Sequence, residues 1–86
     1  MSIYSGDFSR EFSRILQESN LTCYKISQFT GLDEGYLSRL KSGEKHNPSP
    51  ETLMKISLAL THYSERVTTY DINQLFKATG RSIIND

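Results

Sequence analysis

Glu34, Gly35, Ser38, Arg39 and Ser42 recur at helical spacing along one edge of a short segment, and almost nothing apolar interrupts them. Their side chains offer a guanidinium that donates in a fork, hydroxyls that donate or accept, and a carboxylate that only accepts. That is the chemistry of hydrogen-bonded recognition. For bond breaking the sequence assembles nothing: no nucleophile, base and oxyanion donor come together, and no phosphate-cradling glycine loop appears. Cys23 is the only cysteine, which excludes an intrachain disulfide and a thiolate zinc cluster, while His46 and His62 have no ligand pattern around them. The expectation is a binding protein with no metal or cofactor, and not an enzyme.

Two short helices joined by a tight turn must position that edge. In the first, Thr22 is the expected N-cap, its hydroxyl accepting from an orphan backbone N–H, with Ile26 and Phe29 three apart on one face. Gly31 closes it, because glycine tolerates the left-handed conformation of a helix stop. Asp33 then caps the second helix, with Leu32 buried between. In that second helix Leu37 and Leu40, flanked by Tyr36, form the apolar edge opposite the polar one, and Gly43 ends it. A helix of about ten residues suits insertion into a groove better than spanning a core.

The rest of the chain reads as three further helices. Phe8, Phe12, Ile15 and Leu16 follow the i, i+4, i+7, i+8 pattern, with Ser5 or Asp7 as cap and Arg10, Glu11, Arg14, Gln17 and Glu18 as a solvated face; Ser19-Asn20 breaks the pattern. The loop from Glu44 to Pro50 is rich in turn formers. Ser49 caps a helix that has Pro50 at its first position and Glu51 in its first turn, with Leu53, Ile56 and Leu60 inward and Ala59 allowing close approach. Residues 61 to 67 are polar. A fifth helix is expected from Thr68, with Ile72, Leu75, Phe76 and Thr79 at spacings of three and four, Asp71 near its start and Gly80 as its stop. The tail carries Ile83 and Ile84.

A chain of 86 residues with 36% hydrophobic residues fills one small core and leaves no room for a large enclosed cleft. No apolar run approaches the length of a membrane span, and the first residues lack the basic and apolar regions of a signal peptide, so the expected location is cytoplasmic. The formal net charge is +0, a poor start for a partner bound through counterion release. Between residues 22 and 47, Lys25, Arg39, Lys41 and Lys45 exceed Asp33, Glu34 and Glu44 by one charge. That is a faint bias toward a polyanion.

From Thr22 to Gly43 the sequence resembles the helix-turn-helix of the lambda-repressor-like and Cro-like regulators of XRE type. Family members are similar in the preceding apolar-striped helix and in the following loop and helix, here Asn47-Pro48-Ser49 and Leu53-x-x-Ile56-x-x-Ala59-Leu60, so the resemblance covers roughly residues 8 to 60. It implies an all-α fold, a compact five-helix lambda-repressor-like domain over residues 1–86 with the helix-turn-helix at helices 2 and 3. Residues 61–86 are left for dimerisation.

The resemblance further implies double-stranded DNA as partner, with helix 3 in the major groove and helix 2 across the phosphates. Carried over position by position, the base-reading places fall on Glu34, Gly35, Ser38 and Arg39, and the phosphate places on Thr22, Cys23, Lys45, His46 and Asn47. Lys41 and the hydroxyl of Tyr36 are also set for phosphate contact. A guanidinium at 39 can donate two bonds to guanine O6 and N7, or else pair with a neighbouring acid. Glu34 stands where the family often has glutamine; it either accepts from cytosine N4 or only satisfies the helix N-terminus. Cys23 replaces a common phosphate-binding glutamine, and Ser27 replaces a packed alanine. The implied protein is a transcriptional regulator acting as a homodimer on an inverted repeat. Its dimer surface is expected around Tyr70, Leu75, Phe76, Ile83 and Ile84, residues that otherwise complete the core. The alternative is a protein-interaction module on the same scaffold, antitoxin-like or an accessory subunit, which the zero net charge, Glu34 and Cys23 favour.

Overall fold

Four of the five helices begin where a short polar side chain satisfies a backbone N–H that the helix itself leaves open. In the computed structural model, which describes residues 7–45 and 47–79, five helices follow one another: α1 (Asp7–Ser19), α2 (Cys23–Thr30), α3 (Glu34–Ser42), α4 (Pro50–Tyr63) and α5 (Thr69–Lys77). The Thr22 hydroxyl accepts from Lys25 N–H, Asp33 from Tyr36, Ser49 from Thr52 and Thr68 from Asp71. At Thr68 the bond is reciprocated, the Asp71 carboxylate accepting from the Thr68 N–H at 3.0 Å, which makes a capping box. The stops are equally local. Gly31 and Gly43 take φ of 79° and 93°, while Asn20 at φ 56° ends α1 and lets Leu21 N–H donate to Leu16 C=O at 2.9 Å.

The helices enclose one core. Phe8, Phe12, Ile15 and Leu16 of α1 meet Ile26 of α2, Leu37 and Leu40 of α3, Leu53, Ile56 and Leu60 of α4, and Leu75 of α5, all essentially without solvent contact. α1 packs on α3 and α5, α2 on α3 and α4, and α4 on α5. The recognition-like pair α2 and α3 is thus backed by all of the remaining helices, α5 through its contacts with α1 and α4.

Several expectations need correction. Phe29 does not join Ile26 in the core but is exposed beside His62 and Tyr63, because α2 has only one neighbour on each side and its buried strip is confined to Cys23 and Ile26. Leu32 is half-buried against the core, since the turn lies at the surface. α4 runs a turn past Leu60 to Tyr63, its final N–H bond coming from Ser64 to Leu60, and Val67 in the polar connection is buried. Leu75 and Phe76 belong to the core, so the fold already covers them and they are not free for a dimer surface; Tyr70 is exposed. Arg14 is no solvated charge: its guanidinium bonds Glu11 at 2.8 Å, Glu18 at 2.9 Å and, across the helix boundary, Asp71 of α5 at 3.0 Å. Ser5, His46, Gly80, Ile83 and Ile84 lie outside the described residues. Asp7 is the first residue of α1.

Candidate nucleic-acid interface

α3 is divided lengthwise. Leu37 and Leu40 are fully buried, whereas Glu34, Gly35, Ser38 and Arg39 are exposed on the other edge. The four residues proposed for base reading therefore share one solvent-facing side, and the fold asks little of three of them. Gly35 is the exception: a Cβ there would stand 2.9 Å from Asp33 Oδ2, the very oxygen that caps the helix. A side chain at 35 would force that carboxylate to shift.

The Arg39 guanidinium is half exposed, and Nε lies 3.8 Å from Glu44 Oε2. At that distance and exposure the pair contributes at most a few tenths of a kcal/mol up to about 1 kcal/mol, so another acceptor can take the guanidinium over. Lys41 is exposed in the last turn of α3 and Lys45 and Asn47 are exposed after it, and Lys45 N–H donates to Arg39 C=O at 3.0 Å, which folds this loop back on the end of α3. Thr22 is exposed at the start of α2 and Tyr36 is half-buried against the core.

Cys23 differs from its expected place. Its side chain is 8% exposed and packed in the core, so it has only a backbone N–H to offer a phosphate. Burial pushes the thiol above its usual range, partly opposed by the charge of Lys41 and the hydroxyl of Ser38. It is an inert packing group between α2 and α3.

The turn between the helices is held by side chains as well as by Gly31. Ser27 donates its hydroxyl to Leu32 C=O at 2.6 Å, Thr30 Oγ1 accepts from Leu32 N–H at 3.0 Å, and Gly31 N–H donates to Ser27 C=O at 2.8 Å. Serine at 27 thus keeps the close helix crossing and adds a bond that alanine lacks. This fixes the angle between α2 and α3.

The far end of α3 has its own anchor, which the sequence reading missed. The last carbonyls of a helix have no intrahelical donor, and here the Ser9 and Ser13 hydroxyls of α1 both donate to Lys41 C=O, Ser13 at 3.1 Å. The signal was the i, i+4 pair of serines bordering the Phe8 and Phe12 stripe, which places both hydroxyls on one side of α1. Removing both in Ser9→Ala/Ser13→Ala is expected to cost about 1–2 kcal/mol, near 1 per neutral bond. A thermal melt followed by circular dichroism would then fall by roughly 4–16 °C. An unchanged melting temperature would show that water replaces these bonds without loss.

Among the described residues no group of histidine, cysteine and acidic side chains could hold a metal, and no helix is long and apolar enough to cross a membrane. The arrangement offers a polar, rigidly mounted helix edge flanked by cations. The family model of the Cro/C1-type HTH DNA-binding domain matches residues 11–61, from within α1 to within α4. No curated protein and no solved structure matches the chain.

Proposed function

This chain belongs to the Cro/C1-type HTH DNA-binding domain family, and on that premise we propose that it is a sequence-specific transcriptional regulator that reads an inverted repeat as a homodimer. The observation that carries the reading is the exposed polar edge of α3, mounted on a buried apolar one and fixed at its start by Asp33, at its end by Ser9 and Ser13, and against α2 by Ser27. In a major groove Arg39 donates to guanine O6 and N7, Ser38 bonds a base edge or a phosphate, and Glu34 accepts from cytosine N4 while favouring the helix N-terminus. Thr22, Lys41, Lys45, His46, Asn47 and the Tyr36 hydroxyl hold phosphates, and Cys23 contributes through its N–H. Two heads about one helical turn apart supply the affinity that one domain of zero net charge lacks.

The test is selection from a random duplex pool, followed by fluorescence-anisotropy titration at low and physiological salt. Enrichment of an inverted repeat is expected, and Arg39→Ala is expected to weaken the selected site by about 1–3 kcal/mol, roughly five- to 150-fold, with the melting temperature unchanged. The zero net charge favours a second reading, a module that binds another protein through the same scaffold. Binding that is undetectable even at low salt would sink the first reading and leave the second.

A further inference from the structure

α4 is apolar on both sides. Leu53, Ile56 and Leu60 fill the core, yet Met54 and Leu58, one turn apart on the opposite side, are 51% and 56% exposed. One turn further, His62 stacks on Phe29 with ring centroids 4.7 Å apart, and Tyr63 meets the same Phe29 edge-on at 5.9 Å. The strip therefore continues from α4 onto the end of α2. Lys25 borders it, its ammonium 5.4 Å from the centre of the Tyr63 ring. Of the six large apolar side chains exposed among the described residues, Phe29, Met54, Leu58 and Tyr63 lie in this strip. A surface helix of a small domain keeps its outer side polar, and a joined apolar patch of this kind marks a protein interface.

The strip is complementary to itself. Glu51 lies one turn before Met54, and His62 one turn after Leu58. If two α4 helices pack antiparallel about a two-fold axis midway between Met54 and Leu58, Met54 meets the partner's Leu58 and Leu58 meets the partner's Met54. The same operation sets Glu51 beside the partner's His62, at both ends. Its own Lys55 holds Glu51 at only 3.5 Å, with the Glu51 side chain largely exposed and that of Lys55 nearly half exposed, a weak pairing that leaves the carboxylate available. Antiparallel packing also opposes the two helix dipoles favourably. We propose that the outer face of α4, with the Phe29 and Tyr63 rings at its margin, is the surface on which a second copy of this chain docks. The proposal rests on the homodimer reading above and moves its interface from α5, whose Leu75 and Phe76 are committed to the core, to α4. Glu51, Met54, Leu58 and His62 form the contact, a self-complementary one in which each residue is used twice.

Sedimentation equilibrium of the full chain from low micromolar to submillimolar concentration tests it. The wild type is expected to self-associate, and Leu58→Glu to raise the dissociation constant by about thirtyfold or more, as loss of a central apolar anchor does. Because the Leu58 side chain is largely exposed, the melting temperature of the variant is expected to stay within the range of surface substitutions; Met54→Glu gives an independent reading of the same face. Glu51→Arg is expected to weaken the dimer and Glu51→Arg/His62→Glu to restore it, a rescue that only a contact between these two positions produces. A wild type that stays monomeric throughout would overturn the proposal, as would a dimer untouched by Leu58→Glu but dissolved by Tyr70→Glu. DNA titrations of the same proteins keep the two readings apart. A monomeric Leu58→Glu that still binds a half-site through Arg39 leaves DNA reading intact, and a dimer that ignores all DNA leaves the interface intact.

Discussion

Leu37→Ala is expected to destabilise the domain by about 2–5 kcal/mol, the range for truncating a fully buried leucine that leaves a cavity behind. Leu37 has no exposed surface and lies on the buried edge of α3, between the helix that carries the polar edge and the α1 side chains beneath it. Small domains have total stabilities of only about 5–15 kcal/mol, so this one substitution removes a large share. The melting temperature should fall by roughly 10–30 °C, and a urea titration should give a lower midpoint at unchanged slope. Ser38→Ala, one residue further along the same helix but exposed, is the internal control: its stability should change by less than about 0.5 kcal/mol. Near-equal melts for the two variants would mean that α3 is not seated on the core as described.

Asp71→Ala is expected to cost about 3 kcal/mol at neutral pH. One part, about 1 kcal/mol, is the carboxylate's bond to the Thr68 N–H that starts α5. The other, about 1.5–3 kcal/mol, is the charge-assisted bond from Arg14 to a side chain only 13% exposed. Arg14 keeps Glu11 and Glu18, so the substitution strands no buried charge. The same residue predicts a pH dependence. Burial pushes the Asp71 carboxyl upward, but the Thr68 N–H and the Arg14 guanidinium outweigh it and hold the group below the ordinary carboxylate range. The Arg14 guanidinium is correspondingly pushed up by its bonds to Glu11 and Asp71. A group whose pKa is depressed by folding stabilises the fold above its unfolded value, about 3.9 for aspartate, and loses that contribution as pH falls through the folded value. Melting temperatures recorded from neutral pH into acid should therefore drop steeply below about pH 4 in the wild type and less steeply in Asp71→Ala, the two curves converging. Parallel curves would show that Asp71 is not the group responsible.

What was legible in the sequence was what is local. Thr22, Asp33, Ser49 and Thr68 each cap a helix through a donor three residues on, and Gly31 and Gly43 end helices through their own backbone, so all six roles follow from short stretches of chain. The division of α3 into a buried and an exposed edge was equally readable, because period 3.6 separates Leu37 and Leu40 from Glu34, Ser38 and Arg39 within nine residues. The rest depended on partners distant along the chain. Nothing near Arg14 announces Asp71, 57 positions away, and nothing near Ser9 announces the Lys41 carbonyl, 32 away. Phe29 failed for a related reason. Spacing relative to Ile26 cannot say how wide a strip a helix of eight residues buries, and α2 buries only a narrow one. Leu75 and Phe76 resisted assignment because an apolar stripe looks alike whether its own core or a second molecule covers it.

The lengthwise division of α3 also bears on how such a chain changes over generations. Residues 34, 38 and 39 are exposed, Ser38 reaching the core only through its hydroxyl at the Cys23 thiol, while Leu37 and Leu40 are the buried edge of the same helix. Under the base-reading role proposed above, two gene copies can drift apart in the sequences they recognise while inheriting one scaffold, with Gly35 more constrained because an added Cβ there must shift the Asp33 carboxylate. Under that proposal, target preference is evolvable at these three positions at little cost to the fold.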